Sequence, residues 1–316
     1  SLVALRLYLK EQSEAIGVQA RELARAFLDK AEATEHIPLP GYSHTQQAML
    51  SSVGHWCCSF AESLLDDADL LESVTQQLDQ NPLGSAAGFG VAIPLDREFT
   101  ATQLGFSRLQ HNSLYCQGGR GKLESLYLEA LTQVMLSLGR FAQDVLWFTA
   151  QETGFFAVDA SLTTGSSIMP QKRNLDGLEI LRGQVSTVMG HQHQVQMTAK
   201  NLLSGYNREY QLIKKPLLTC TNITFSSLGV ARLYLEGITP QEDIINERIS
   251  TDIFAADLAN QLVIEEGVSF REAYQVAAER IKQAAFDPVH NLHSKVSPGA
   301  PGNLGISQLR NRLLQK

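Results

Sequence analysis

The sequence predicts an all-α protein built on a bundle of long helices, followed by a small helical domain at its C-terminal end. Three observations predict this fold class. Apolar residues recur every three or four positions over stretches of twenty-five residues or more. The strict alternation that is typical of strands is almost absent, and glycine and proline concentrate in the connections. A helix of thirty residues spans about 45 Å, which suits a long bundle.

The periodic stretches give the order of the elements, at about 2–32, 45–79, 122–148, 176–203 and 208–236. The third is apolar over much of its circumference, as expected for a helix in the interior of a bundle. After Gly237 the predicted helices shorten to about 252–266 and 270–285. We therefore predict two domains, a long-helix bundle over 1–236 that carries the catalytic loops and a small helical domain over 237–316.

Composition limits the classes of partner. The 316 residues are 44% hydrophobic and 19% charged, with a net charge of -7. This charge gives no general attraction to nucleic acid or to an anionic membrane, so any anionic substrate needs positive groups placed locally. No apolar run reaches the eighteen or so residues of a membrane span, and the length makes a disulfide framework for the four cysteines unnecessary. We expect a cytoplasmic protein with free thiols.

The strongest candidate site is the connection 165–176, Gly-Ser-Ser-Ile-Met-Pro-Gln-Lys-Arg-Asn-Leu-Asp, which leads into a helix that contains Glu179. Backbone N–H groups of the Gly-Ser-Ser turn suit an oxyanion, and Lys172 adds a mobile positive charge. Gly-Ser-Ser alone is more often a polar turn that caps the next helix. The complete string is far more specific.

That string closely resembles the signature of the fumarase/aspartase superfamily. The resemblance implies that Ser166 removes a proton from the carbon next to a carboxylate, and that Lys172 and Asn174 hold the carboxylate and stabilise the aci-carboxylate intermediate. A bare serine is a poor base, so nearby donors and cations must favour its alkoxide. Leu175 stands where the family usually has proline.

A second connection, Leu-Pro-Gly-Tyr-Ser-His-Thr-Gln at 39–46, resembles the Gly-Tyr-Thr-His-Leu-Gln motif of argininosuccinate lyases. A lone histidine at a helix start is more often a cap or a surface residue. The resemblance implies that His44 protonates the departing nitrogen or holds a group that does. Glu179 then hydrogen-bonds this histidine and favours its protonated form, and Ser43 contacts the substrate. Thr45 departs from the leucine of the family motif.

A third segment, Tyr-Asn-Arg-Glu-Tyr-Gln-Leu-Ile-Lys-Lys-Pro at 206–216, resembles the argininosuccinate lyase stretch that contacts the substrate. The resemblance implies substrate contacts for Tyr206, Gln211 and Lys214. Helical spacing predicts that the last two share one face. Alone, the segment is typical of an amphipathic helix start with exposed charges. Because 81–88 and 94–98 also resemble stretches of these enzymes, the resemblance covers most of 1–236.

The resemblance implies a carbon–nitrogen lyase that splits argininosuccinate into arginine and fumarate by anti β-elimination, in arginine biosynthesis and without a cofactor. It also implies a homotetramer whose active sites are assembled from three subunits. Family members carry a Ser-Arg-Asn-Asp stretch just before the helix that here begins at Ser1. We therefore expect a chain truncated at its N-terminal side, and weakly active or inactive alone.

Two kinds of alternative stay open. Another superfamily enzyme, such as adenylosuccinate lyase, fumarase or aspartase, would share the Ser166 loop but not the segment 206–214. A structural protein, as in the lens crystallins related to these lyases, or an inactive fragment would need none of the catalytic groups. No metal site is predicted, because His191 and His193 face different sides of their helix and His55 lacks a second ligand pair.

Overall fold

A computed structural model describes residues 2–314, and long helices dominate it. The helices are α1 Leu2–Thr34, α2 Val53–Leu78, α3 Arg97–Gln103, α4 Ser113–Gly118, α5 Lys122–Phe148, α6 Asp176–Ala199, α7 Lys214–Gly237, α8 Glu242–Arg248, α9 Ala255–Glu266, α10 Phe270–Arg280, α11 Pro288–Ser294 and α12 Ile306–Leu314. The all-α fold class is confirmed. The helix predicted at 122–148 matches α5 at both ends.

Among residues 2–314, six short strands form three two-stranded sheets. β1 Pro38–Ser43 and β2 Gln46–Ser52 pair antiparallel, β3 Gln80–Asn81 and β4 Arg108–Leu109 pair parallel, and β5 Phe156–Val158 and β6 Ile238–Pro240 pair antiparallel. The helix predicted over 45–79 is therefore wrong at 46–52. Pro38 and Pro40 lack an N–H group and disfavour helix in the residue before them, so β1 stays extended and β2 pairs with it.

The hairpin of β1 and β2 contains a bulge that requires glycine. Its register shifts between Pro40 and Tyr42, which leaves Gly41 unpaired. A Cβ atom on Gly41 would lie 2.9 Å from the carbonyl oxygen of Met49 on the facing strand. Only a residue without a side chain fits this close approach of two backbones.

Two other predicted helix limits differ from the structure. The helix predicted over 176–203 ends at Ala199, and Asn201 follows it with a left-handed φ of 58°. The helix predicted over 208–236 starts at Lys214, after a separate 3-10 turn at Arg208–Gln211. Gln211 and Lys214 therefore do not share the face of one helix, as their spacing predicted.

The chain forms two compact units, each made of three chain segments. Among the described residues, the first unit comprises 2–23, 63–143 and 175–233, and the second comprises 24–62, 144–174 and 234–314. The boundary near 237 was predicted from chain order, and it stays a prediction.

The first unit buries one apolar side of each long helix that it contains. The fully buried side chains include Leu9, Ile16, Leu64, Leu71, Tyr127, Leu131, Phe141, Val188, Val195 and Leu217. Each such side chain stabilises the fold by about 1.5 to 3 kcal/mol relative to its exposed state. The phenol of Tyr127 meets the hydroxyl of Thr221 at 2.8 Å, which satisfies two polar groups inside this core.

The second unit contains an aromatic cluster and a smaller apolar core. Trp56 contacts the rings of Phe60, Phe148 and Phe156, with ring centres 5.4 to 5.9 Å apart. Its indole N–H donates to Asp144 at 3.0 Å. The smaller core consists of Leu50, Ile253, Phe254, Ile281 and Leu292. Since Leu50 belongs to β2, this core anchors the base of the hairpin.

Asp67 is a buried carboxylate of α2 in the first unit. It accepts a hydrogen bond from the Ser137 hydroxyl at 2.7 Å, and Ser137 in turn lies 2.8 Å from the hydroxyl of Ser63. Burial raises the pKa of Asp67 from 3.8 to about 6. The folded state therefore binds this proton more tightly than the unfolded chain, so stability falls between pH 4 and 6 and stays lower above pH 6.

Asp67→Asn should remove this loss. We expect a gain in the free energy of unfolding of up to about 3 kcal/mol at pH 8 and little gain at pH 4, since one pKa unit corresponds to about 1.4 kcal/mol. Urea denaturation of both proteins at each pH measures the difference. An equal effect of the substitution at pH 4 and pH 8 would contradict the assignment.

All four cysteines are free, as predicted, and all four are buried. Within 2–314, no helix has both the length and the apolar character that crossing a membrane requires. No group of three or more His, Cys, Asp or Glu side chains among these residues is arranged to hold a metal ion.

Candidate active site

The candidate acid His44 lies at the tip of the hairpin and not at a helix start. Ser43 pairs with Gln46, so His44 and Thr45 form a two-residue turn, with φ angles of 52° and 63°. Positive φ at both central positions defines a type I′ turn, for which Asn and Gly are preferred. A β-branched residue such as Thr45 is a true outlier there, at a cost of about 1 to 2 kcal/mol. Strain of this kind persists only where the surroundings determine the backbone, and it is typical of functional sites.

Contacts within the second unit hold the backbone of this turn in its strained conformation. The Gln47 side chain donates to the carbonyl of Arg248 at 2.8 Å and accepts from the N–H of Ser250 at 2.9 Å. The Tyr42 ring lies against Trp147 and Phe155, at 6.3 and 6.4 Å between ring centres. The hairpin is therefore held at its sides, while Ser43 and His44 are exposed at its tip.

The Ser166 loop is closed at its base by backbone pairing in the second unit. The N–H of Thr164 donates to the carbonyl of Asn174, and the N–H of Asn174 donates to that of Thr164, both at 2.9 Å. Residues 165–173 form the loop between these two partners. Asn174 is half-buried at the base, so the structure brings Ser166, Lys172 and Asn174 onto one closed loop.

The Ser166 hydroxyl oxygen accepts two backbone hydrogen bonds. The N–H of Met169 donates to it at 3.1 Å and that of Ile168 at 3.3 Å. Both donors are stronger partners for an alkoxide than for a hydroxyl, because hydrogen bonds to the charged form favour that form. This geometry favours deprotonation of Ser166, as a serine base requires.

The cations of the loop differ in their contacts. The guanidinium of Arg173 turns back onto the loop and donates to the carbonyls of Pro170 at 3.3 Å and Lys172 at 3.2 Å. The Lys172 side chain is exposed, and among the residues described its ammonium has no hydrogen-bond or ion-pair partner. Arg173 therefore orders the loop, while Lys172 is available to an anion.

The remaining candidates belong to the first unit. Glu179 is exposed in the first turn of α6, where the helix dipole favours a carboxylate. Lys214 is half-buried at the first position of α7. The pairing of Glu179 with His44 stays a prediction.

The structure joins the predicted substrate residues Tyr206 and Gln211. The amide nitrogen of Gln211 donates to the phenol oxygen of Tyr206 at 3.2 Å. This hydrogen bond, then a side-chain hydrogen bond with Arg208 and the charges of Arg208 and Arg120, lower the pKa of Tyr206 against the opposing effect of burial. An exposed phenol and an amide that share one hydrogen bond form a polar pair suited to a polar ligand.

Arg120 and Tyr210 are neighbours of this pair that the sequence did not indicate. The Arg120 guanidinium lies 5.4 Å from the Tyr206 ring centre and 4.8 Å from that of Tyr210. In the sequence, Arg120 stands in a Gly-rich stretch that fits no nucleotide motif, and no local pattern links it to Tyr206. Only the fold brings them together.

A cavity of about 200 Å³ lies in the first unit beside the segment 82–86. Leu2, Val3 and Gln117 complete its lining. Ala86 and Ala87 next to it have left-handed φ angles of 45° and 59°, which is uncommon for residues other than glycine. The buried carbonyl oxygen of the Gln117 side chain has no donor among the residues described.

Comparison with known proteins agrees with the resemblance found in the motifs. A family model described as "Lyase" matches residues 2–190. The chain is 41% identical to an argininosuccinate lyase of Sorangium cellulosum over 313 residues, which are 99% of this chain and 72% of the relative. It is 39% identical to that of Stenotrophomonas maltophilia, with 98% and 72% covered. A solved structure of EDDS lyase with formate superposes with a TM-score of 0.90 at 19% identity, over 99% of this chain and 71% of that one.

Proposed function

The chain belongs to the argininosuccinate lyase family, and from this membership we propose how its residues share the reaction. The activity is that of a carbon–nitrogen lyase, which eliminates fumarate from argininosuccinate and leaves arginine. One C–H and one C–N bond break, a C=C bond forms, and the departing nitrogen gains a proton. The reaction thus needs a base, a site for the carbanion charge and an acid.

Ser166 is the proposed base. It takes the proton from the succinyl carbon, and the charge moves onto the adjacent carboxylate as an aci-carboxylate. Lys172 and Asn174 stabilise that dianion, since a cation and an amide donor on the same loop face developing negative charge. The observation that carries this assignment is the pair of backbone N–H donors on the Ser166 oxygen.

His44 is the proposed acid. Collapse of the dianion breaks the C–N bond, and His44 gives its proton to the guanidinium nitrogen that leaves, with Glu179 as the carboxylate that orients it. Ser43, Tyr206, Gln211 and Lys214 bind the substrate. We propose that the reaction needs no cofactor. We also propose that the protein acts in the cytoplasm.

A substrate panel tests the proposed activity. We expect release of fumarate and arginine in equal amounts from argininosuccinate, measured by the ultraviolet absorbance of fumarate and by amino-acid analysis. Adenylosuccinate, malate and aspartate should give none, because the segment 206–214 matches argininosuccinate lyases. Fumarate from one of those three substrates contradicts the proposal.

The long helices also support self-association into a homotetramer with shared active sites. In the first unit α7 leaves Leu218, Phe225 and Leu233 exposed along one side. Apolar side chains spaced along an exposed helix face are typical of an interface. Light scattering should therefore give four times the chain mass, and a monomer at micromolar concentration would exclude the tetramer.

A further inference from the structure

Arg120 lies against the ring of Tyr206, one of the proposed substrate-binding residues. Its guanidinium is within about 6 Å of the centres of the Tyr206 and Tyr210 rings, the range in which the face of an aromatic ring attracts a cation. The Arg120 side chain is buried, with 7% of its surface exposed. Such contacts are stronger where water is excluded.

The guanidinium of Arg120 is buried although not all of its N–H groups have hydrogen-bond acceptors in the described part of the chain. Its Nε atom is buried and has no acceptor within residues 2–314. The buried carboxyl group of Glu124, which accepts the N–H of Gly121 at 2.6 Å, interacts electrostatically with Arg120. Burial raises the pKa of Glu124, and the charges of Arg6 and Arg120 oppose that rise. The two tyrosine rings are thus the groups that contact this guanidinium.

Tyr206 has few restraints of its own. It is 46% exposed, and it follows Gly205, whose φ of 116° is accessible mainly to glycine. Gln211 and Arg208 hydrogen-bond its hydroxyl and leave the ring itself without a restraint. An exposed aromatic side chain has several staggered conformers available, so a contact on the ring is needed to select one. Arg120 makes such a contact.

We propose that Arg120 is a positioning residue for substrate binding, which holds the Tyr206 ring so that its hydroxyl and the Gln211 amide meet the substrate together. The substrate's identity rests on the proposed function, whereas the arrangement rests on the contacts alone. In a chain of net charge -7, the guanidinium also places positive charge beside groups that bind a substrate with several carboxylates.

Arg120→Met tests the proposal, since it keeps much of the bulk and removes the charge. We expect the KM for argininosuccinate to rise by roughly two- to thirty-fold, the span of cation–π contacts, while kcat changes by less than about twofold. Arg120→Lys should recover part of the loss because it restores a cation. Arg271→Met is the matched control, as Arg271 is exposed and has no partner among the residues described. An unchanged KM, or a fall in kcat alone, overturns the proposal.

A double-mutant cycle separates positioning from general packing. In a Tyr206→Leu background the ring is absent, so Arg120→Met should change KM by less than about twofold. A full effect of Arg120→Met in that background would mean that Arg120 acts elsewhere. If Arg120→Met does not fold, as judged by circular dichroism, Arg120→Lys takes its place in the cycle.

A spectroscopic measurement distinguishes failure of this inference from failure of the proposed function. Ultraviolet titration of the protein minus that of Tyr206→Phe reports on the Tyr206 phenol alone. Arg120→Met should raise the pKa of Tyr206, and Arg271→Met should leave it unchanged. Fumarate release from adenylosuccinate, malate or aspartate contradicts the proposed function, whereas an unshifted Tyr206 pKa overturns the role of Arg120 without any turnover being needed.

Discussion

Ser166→Ala should lower kcat for argininosuccinate by about a thousandfold or more, an increase of at least about 4 kcal/mol in the activation barrier. The substitution removes the atom that takes the proton, and the backbone donors of Ile168 and Met169 then have no oxygen to stabilise. Substrate affinity should change little, because the proposed binding groups lie on other residues. Steady-state kinetics give kcat, and calorimetric titration with argininosuccinate gives the affinity.

Ser167→Ala is the matched control. Ser167 is the next residue, it is exposed, and the two backbone donors converge on Ser166 instead. It should therefore keep kcat within about threefold. A larger loss of kcat in Ser167→Ala than in Ser166→Ala would mean that Ser167 is the base. Near-normal turnover of Ser166→Ala would exclude Ser166 as the base.

His44→Asn should lower kcat by about a hundredfold or more, the usual contribution of a general acid. Asparagine keeps a polar group and tolerates the left-handed conformation of the turn, so the hairpin should persist. The pH–rate profile should also change. An acid must carry its proton to act, so loss of the His44 proton should lower kcat of the unmodified enzyme at alkaline pH. This decrease should disappear in His44→Asn.

Two further variants sharpen this test. His36→Asn is the control, because His36 is exposed and has no partner among the residues described. It should leave the profile unchanged. Glu179→Gln should move the alkaline limb to lower pH, since a carboxylate favours the protonated imidazole and an amide does not. A profile unaffected by Glu179→Gln would mean that the two residues do not pair.

The elements predicted best are those whose signal is local. Helix α5 was placed to the residue because twelve of its apolar side chains are buried and repeat at helical spacing. The segment 46–52 was missed because its strand character comes from pairing with β1, a contact that no short window contains. The pairing of 46–52 with β1 overrides the apparent helical periodicity of this segment.

The candidate site divides in the same way. The Ser166 loop is one continuous string, so its donors and cations could be recognised together. Arg120 was missed because it meets Tyr206 only through the fold. The strained turn at His44 was also not predicted, since neither histidine nor threonine is a residue that type I′ turns prefer.

The backbone pairing of Thr164 with Asn174 has a consequence for the encounter between Ser166 and Lys172. It turns residues 165–173 into a tether fixed at both ends. On so short a tether, the local concentration of the ammonium around the serine oxygen is independent of how dilute the protein is. Most of the entropy of bringing the two groups together is lost when the pairing closes the loop, so little remains to be lost when substrate arrives.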